Sequence, residues 1–220
     1  MRWSWIVDHT DQIVAQFWEH ILLTVMAVVI GLLISLPIGI YVHRHRRTYP
    51  PVASVAGILY TIPSLALFAA LQPFTGLSYT TAEIGLVSYT LLILVRNIVA
   101  GLQGVPPDVK EAASGMGYSR RQLLWRIELP LALPVIVAGI RLATVTVIGL
   151  VTVTALIGQG GLGYFILLGF RTFTEEASTI MLTGAVLSMV LAVVADAALV
   201  GTERVITPWS RATPRRVTAP

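Results

Sequence analysis

The chain has 220 residues, of which 55% are hydrophobic and 12% are charged, and its formal net charge is +4 at pH 7. Soluble domains carry about 25% charged residues, so this composition excludes an ordinary water-soluble protein and predicts several membrane spans. Cysteine is absent, which excludes disulfides, thiolate metal sites and thiol nucleophiles.

The amino-terminal segment carries three acidic residues, Asp8, Asp11 and Glu19, and it lacks a continuous apolar run. A cleavable signal peptide needs a basic start and an apolar stretch, so none is expected here. We expect residues 1–20 to be an extracytoplasmic segment and the first apolar run to remain as a membrane span.

Five later segments are long and apolar enough to cross a bilayer, which takes about 20 residues of helix. They cover approximately residues 21–41, 52–71, 84–102, 131–157 and 177–201. The sequence therefore predicts an all-α membrane domain over residues 21–205 with five transmembrane helices. A cytoplasmic tail follows at residues 206–220, and we expect its Pro-, Thr- and Arg-rich part from residue 211 to be disordered.

The basic residues predict the orientation of these spans. Three regions fall on one side of the membrane and hold Arg44, Arg46, Arg47, Lys110, Arg120, Arg121, Arg126, Arg204, Arg211, Arg215 and Arg216. The opposite side holds only Arg2 and Arg171. Because cytoplasmic loops are enriched in Lys and Arg, the amino terminus is predicted outside and the carboxyl terminus inside. A sixth span would break this pattern, so residues 164–173 are predicted to form a short interfacial or re-entrant helix.

The cytoplasmic segment at residues 105–130 has strong local signals. Pro106 and Pro107 stop the third span. Asp108 followed by Glu111 predicts a capping box that opens a short helix. Gly117 predicts a left-handed helix end.

A second short helix is expected directly afterwards. Ser119 followed by Gln122 is another capping signal, and the helix continues through Trp125 until Pro130 marks the start of the fourth span. The segment is thus predicted to be a compact helix–turn–helix.

The same segment resembles the EAA signature of bacterial ABC importer permeases. That signature reads Glu-Ala-Ala, three residues, Gly, nine residues and Ile-x-Leu-Pro, and it is matched without a gap by Glu111, Ala112, Ala113, Gly117, Ile127, Leu129 and Pro130. The resemblance implies the type I importer permease fold and a coupling helix that docks into a separate ATPase subunit.

The ATPase-coupling residues implied by this resemblance are Asp108, Glu111, Ala112, Ala113, Gly117 and Arg120. Capping of the helix is an equally good interpretation of Glu111, and a plain helix stop explains Gly117. A phosphate-binding P-loop ends in Gly-Lys-Ser/Thr, but Lys110, the only lysine, follows Val109. No cofactor is therefore expected on this chain, and ATP with magnesium would bind to the partner.

Four further stretches resemble the permeases of glycine betaine, carnitine and choline importers. They read TIPSLAL at 61–67, GLQGVPPDVKEAASGMG at 101–117, ELPLALPVIVAGIR at 128–141 and GQGGLG at 158–163. The resemblance implies a non-enzymatic subunit of an osmoprotectant importer (glycine betaine, choline, carnitine or proline) in the bacterial plasma membrane. The implied partners are two ATPase copies, a second permease subunit and an extracytoplasmic binding protein, without nucleic acid.

Two other functions stay open from the sequence. One is a permease of the same class for an amino acid such as methionine. The other is a stand-alone channel or secondary carrier, although such a protein has no use for an ATPase-coupling segment.

The candidates for a translocation path or gate are Pro63, Ser64, Leu67, Arg141 and Asp196. Pro63 interrupts a span and frees a backbone carbonyl, which suits either a gate or a packing kink. Arg141 and Asp196 lie at similar depths, so they are interpreted as a structural pair, as part of the substrate path or as independently snorkelling groups.

Other motifs predict no site. The GxGxxG at residues 158–163 follows a membrane helix instead of a strand, so it is interpreted as a tight turn or an outer gate loop. His43 and His45 flank Arg44, and no metal site is expected because arginines surround them and no carboxylate is near. No arrangement typical of a catalytic site was found.

Overall fold

The computed structural model describes residues 2–211, and no strand occurs within them. The helices are α1 (Trp3–Asp8), α2 (Thr10–Arg44), α3 (Tyr49–Thr61), α4 (Ser64–Thr75), α5 (Tyr79–Gln103), α6 (Pro107–Gly115), α7 (Arg120–Leu123), α8 (Leu129–Thr154), α9 (Gly163–Arg171) and α10 (Ala177–Ile206). Short 3-10 turns follow α2, α8 and α10. Residues 212–220 of the predicted tail lie outside the described residues.

The first predicted span lies inside α2, which is 35 residues long and begins within the predicted amino-terminal segment. Helix α2 packs against α5 in parallel: along α2 from Gly31 to Gly39, the neighbour on α5 moves from Thr90 to Ile98. A Cβ on either glycine would overlap the facing side chain, so these two glycines allow the close approach.

Because α2 and α5 run the same way, the chain between them must return across the membrane. Helices α3 and α4 do so as a broken pair bent by 95°. The second predicted span at residues 52–71 is therefore not one straight helix. Pro63 has no amide hydrogen and disfavours a helical residue before it, and Ile62 is accordingly extended with ψ 127. The hydroxyl of Tyr89 donates to the freed Ile62 carbonyl.

Helix α8 runs antiparallel to α5, with Gly139 against Asn97 and Gly101 against Ala132. Residues Arg120–Ile157 form one continuous helix, so Pro130 does not separate a second cytoplasmic helix from the fourth span. A π-helical turn, Leu124–Glu128, precedes the proline. This wider turn accommodates a ring that clashes with the preceding turn of a regular α-helix.

Two apolar cores join α2, α5 and α8. In one core Phe68 of α4 is fully buried and packs on Gly85, beside Leu23, Leu86 and Val147. The other core surrounds Leu94, Ile98 and Leu102.

Helix α9 has nine residues and is too short to cross a bilayer, which agrees with the short helix predicted at 164–173. It packs on α10, where Gly169 meets Met181 and Gly184 meets Phe165. Helix α10 then runs antiparallel to α8 and reaches Arg141 through Asp196.

The helix directions bring the basic regions to one end of the bundle. We call this the basic end, and its members among the described residues are Arg44, Arg46, Arg47, Lys110, Arg120, Arg121, Arg126 and Arg204. Helices α2, α5 and α10 finish there, whereas α7 and α8 begin there. The packing confirms that these described residues share one end of the bundle, and the side of the membrane that this end faces stays a prediction.

Candidate functional site

Helix α6 lies at the basic end and begins at Pro107. The predicted capping box of Asp108 and Glu111 is wrong: the cap position is Pro106, and no side chain caps the helix within the described residues. Proline at the first helical position sets the helical φ, so the helix starts before Asp108. Asp108 instead stands in the first turn, where its charge is favourable towards the helix dipole.

Helix α6 ends in the predicted left-handed turn. Gly117 has φ +86. Its amide donates to the carbonyl of Ser114 at 3.0 Å, and the amide of Tyr118 donates to that of Ala113 at 3.1 Å. This pair of bonds is a Schellman motif, which fixes the direction of the chain after the helix.

Helix α7 opens with the predicted capping box. The amide of Gln122 donates to Ser119 Oγ at 3.3 Å, and the Ser119 amide donates to Gln122 Oε1 at 2.8 Å. The α6–turn–α7 segment, which we call the elbow, is therefore fixed at both helix ends around Gly117.

Some of the predicted coupling residues are exposed on the elbow, and one of them is buried. Asp108, Glu111 and Ala112 are exposed along α6. Ala113 is only 2% exposed and packs within this chain. Arg120 is exposed and lines a pocket towards the end of α2.

A charged cluster ties the elbow to three other helices. Glu128, in the π-helical turn, is 8% exposed, and its Oε1 lies 3.5 Å from Lys110 Nζ of α6 and 3.5 Å from His43 Nε2 of α2. Lys110 also donates to the Leu102 carbonyl at the end of α5, at 3.4 Å. A buried carboxylate needs such partners, because an unpaired charge is costly to desolvate.

No local sequence signal indicates this cluster, because Glu128 comes to His43 from a distant part of the chain. The expectation that no carboxylate is near His43 is wrong, because the packing of α2 against the π-helical turn brings Glu128 Oε1 to 3.5 Å from its Nε2. Among the described side chains, no group of three or more His, Cys, Asp or Glu residues is arranged to hold a metal ion.

Arg141 and Asp196 form the pair that was one of the predicted alternatives. Arg141 Nε lies 2.9 Å from Asp196 Oδ1, and its second bond reaches Oδ2 at 3.2 Å. A further contact joins Arg141 to Glu203 at 3.4 Å, which the sequence did not indicate. These ion pairs of Arg141 with Asp196 and Glu203, which we call the Arg141 clasp, join α8 to α10. Their charged groups stay partly exposed on the bundle surface.

The remaining path candidates lie at the break between α3 and α4. Pro63 is exposed and Ser64 is half-buried, whereas Leu67 is 8% exposed and points into the chain's own interior. These residues form a group separate from the Arg141 clasp.

The glycine-rich turn at 158–163 is bonded to the opposite end of α2. Gly160 donates its amide to Glu19 Oε1 at 3.2 Å, and Leu162 donates its amide to His20 Nδ1 at 3.1 Å. Since His20 Nδ1 accepts, its Nε2 carries the hydrogen and donates to the Ile148 carbonyl at 3.1 Å. His20 is fully buried, so it holds the turn, α2 and α8 together.

The comparisons with known proteins agree on one family. Residues 17–205 match the family described as binding-protein-dependent transport system inner membrane component. The carnitine transport permease protein OpuCD of Listeria monocytogenes is 37% identical, over 89% of this chain and 87% of that protein. The choline transport system permease protein OpuBB of Bacillus subtilis is 36% identical, over 87% of both chains. The osmoprotectant import permease protein OsmW of Salmonella typhimurium is 34% identical, over 93% of this chain and 96% of that protein.

Solved structures show the same helical fold. A structure of the MetNI methionine ABC transporter in an inward facing conformation matches with a TM-score of 0.79 and 24% identity, over 89% of this chain and 96% of that chain. The type I importer permease fold expected from the sequence is thereby confirmed.

Proposed function

Since the chain belongs to the family of binding-protein-dependent transport system inner membrane components, we propose that it is the membrane-spanning subunit of an ATP-driven osmoprotectant importer. Its substrates would be glycine betaine, choline, carnitine or proline. The observation that carries this proposal is the near full-length similarity to carnitine, choline and osmoprotectant permeases.

In this proposal the ATPase binds to the elbow and moves it. It is exposed, fixed by a Schellman motif and a capping box, and anchored to the bundle through Glu128. The exposed Asp108, Glu111 and Ala112 form the contact face of α6. Two ATPase copies supply the energy with bound ATP and magnesium, and a second permease subunit completes the pathway.

The basic end faces the cytoplasm of the bacterial cell. Lys and Arg are enriched in cytoplasmic loops, and eight basic residues of the described chain gather at this end, against Arg2 and Arg171 at the other. The amino terminus then lies outside, where an extracytoplasmic binding protein delivers substrate to the end that carries the glycine-rich turn.

The arrangement of the helices supports transmission of elbow movement to the transmembrane helices through α8. Helix α7, the π-helical turn and α8 form one continuous helix, so a push on the elbow tilts α8 as a unit. The Arg141–Asp196 clasp carries the same motion to α10. Pro63 and Ser64, at the break between α3 and α4, are the gate candidates in this scheme, because broken helices are tolerated where they line a protein cavity.

Transport in reconstituted vesicles tests the proposal. The chain is purified with its co-expressed ATPase and binding protein, and uptake of radiolabelled choline, carnitine, glycine betaine and proline is compared with that of methionine. We expect ATP-dependent uptake of at least one osmoprotectant. Uptake of methionine alone would overturn the substrate assignment, and uptake without any ATPase would overturn the coupling.

A further inference from the structure

A polar pocket of about 420 Å³ opens at the basic end, between the end of α2 and the start of α7. The residues that line it are His43, Arg44, His45, Arg120, Leu123 and Glu128. Arg44 and Arg120 are exposed, and their guanidinium groups form no ion pair with the described side chains. Glu128, the acid in the pocket, is already engaged by Lys110.

The electrostatics of this pocket therefore favour an anion. Arg44 and Arg120, from different helices, both line it without an acidic partner among the described side chains, and arginine forks match the oxygens of a phosphate.

An apolar groove of about 560 Å³ continues from the same residues into the membrane region. It shares Arg44, His45 and Arg120 with the pocket and then follows α2 back to Pro37, beside Trp125. Seven residues of helix separate Pro37 from Arg44, or about 10 Å along the axis.

The rim of the groove has the aromatic residues typical of a membrane interface. Tyr41 is 54% exposed and Trp125 is 57% exposed, and the Tyr41 ring stacks on His45 at 4.5 Å. Such rings are enriched at the level of lipid headgroups. The rings thus place the rim of the groove at the membrane interface, with the charged pocket on its water side and the lining from Ile40 to Pro37 on its membrane side.

We propose that this composite site binds an anionic phospholipid, with its phosphate between Arg44 and Arg120 and an acyl chain along Pro37 and Trp125. A free phosphate would leave the apolar groove empty. An acidic protein surface would have no means of filling a groove that descends into the bilayer. A lipid with a negative headgroup matches both halves of the site.

The position of the site gives the lipid a direct contact with the elbow. Arg120 opens α7, three residues after the left-handed Gly117. The bound headgroup therefore bridges the end of α2 and the elbow, and it stabilises their relative position. Binding itself does not depend on the identity of the transported substrate.

Lipid binding to the purified full transporter, measured by native mass spectrometry in a mild detergent, tests the site. The titrations use phosphatidylglycerol and phosphatidylcholine. The test variant is Arg44→Gln with Arg120→Gln, and the matched control is Arg46→Gln with Arg47→Gln, which removes the same charge from the adjacent exposed turn. We expect the test variant to bind phosphatidylglycerol about thirtyfold more weakly, because it loses two charge-assisted arginine–phosphate contacts that the control variant retains.

The control variant and phosphatidylcholine binding should match the wild type. Arg44→Lys with Arg120→Lys keeps both charges but loses the guanidinium forks, so it should bind phosphatidylglycerol more weakly than the wild type and more tightly than the glutamine variant, and it gives a second readout if the glutamine variant fails to fold. Equal phosphatidylglycerol affinity in the test and control variants would overturn the proposal. Displacement of the lipid by millimolar inorganic phosphate, or loss of the ATPase instead of the lipid, would overturn it as well.

Discussion

The Nζ atom of Lys110 lies 3.5 Å from the carboxylate of Glu128. These two residues join α6 to the turn from which α8 begins, and Glu128 is nearly buried there. The only lysine of the chain is therefore an internal anchor of the elbow, in addition to any contact that its neighbours make with an ATPase.

Lys110→Met removes this anchor and leaves Glu128 with His43 as its remaining partner. We expect ATP-driven uptake to fall about tenfold, because breaking one side of a nearly buried ion pair leaves a poorly compensated charge. Co-purification of the ATPase should persist, since the exposed face of α6 is unchanged. Lys110→Arg is the control and should retain uptake, and equal uptake by Lys110→Met would remove the anchoring role.

Gly117→Ala tests the left-handed turn of the elbow. The added Cβ would meet no described heavy atom within 4 Å, so the effect is purely conformational. At φ +86 an alanine costs about 1–2 kcal/mol relative to glycine. We expect weaker ATPase binding in a pull-down and reduced uptake.

Gly115→Ala is the matched control for the turn. Its Cβ also meets no described atom within 4 Å, but the residue is helical. Alanine favours a helix by about 0.5–1 kcal/mol over glycine, so this variant should bind ATPase at least as well as the wild type. A result in which both alanine variants behave alike would contradict the need for a left-handed turn.

Local signals in the sequence predicted the parts of the elbow that depend on neighbouring residues. The left-handed Gly117 and the capping box of Ser119 and Gln122 are interactions over a few residues, and they were predicted correctly. The cap at Asp108 was wrong because Pro107, with its fixed φ, begins the helix and moves the cap position two residues earlier, to Pro106.

Contacts between residues far apart in the sequence could not be predicted from such local signals. Nothing near Glu128 in sequence shows that His43 faces it, and nothing near Gly160 shows its bond to Glu19. These contacts follow from how the spans pack, which hydropathy does not determine. The contact between Arg141 and Asp196 was the long-range contact that the sequence did offer as an alternative, because ionisable groups at equal depth in a membrane usually pair with each other or face a cavity.

Arg141→Met tests whether the clasp between α8 and α10 is structural. The single variant leaves Asp196 and Glu203 without their shared cation, so we expect a lower thermal unfolding midpoint and reduced uptake. Arg141→Met with Asp196→Leu should recover most of the lost stability, because the pair is removed together. Recovered stability with full uptake indicates a purely structural clasp, whereas recovered stability without uptake indicates a role in the path. Equal stability of the wild type and the single variant would contradict the clasp.

His20→Leu tests the bridge between the glycine-rich turn, α2 and α8. The leucine leaves the Leu162 amide and the Ile148 carbonyl without the imidazole, and an unsatisfied buried group costs about 1–3 kcal/mol. We expect a clearly lower unfolding midpoint of the purified complex. His45→Leu, at an exposed position, is the control and should change stability by only about 0.5 kcal/mol or less. Equal unfolding midpoints for the two variants would show that the hydrogen bonds of His20 do not stabilise the protein.

Single cysteines test the orientation of the bundle, because the native chain has no cysteine that would add background. Ser114→Cys places a thiol on the exposed side of the elbow, and Thr174→Cys places one in the exposed loop between α9 and α10. The two positions lie at opposite ends of the helices, so an impermeant maleimide should label only one of them in intact cells. We expect label on Thr174→Cys in intact spheroplasts and on Ser114→Cys only after the membrane is permeabilised, since the basic end is proposed to face the cytoplasm. The reverse pattern would place the elbow outside the cell, where no ATPase has ATP to hydrolyse, and the proposed coupling would fail with it.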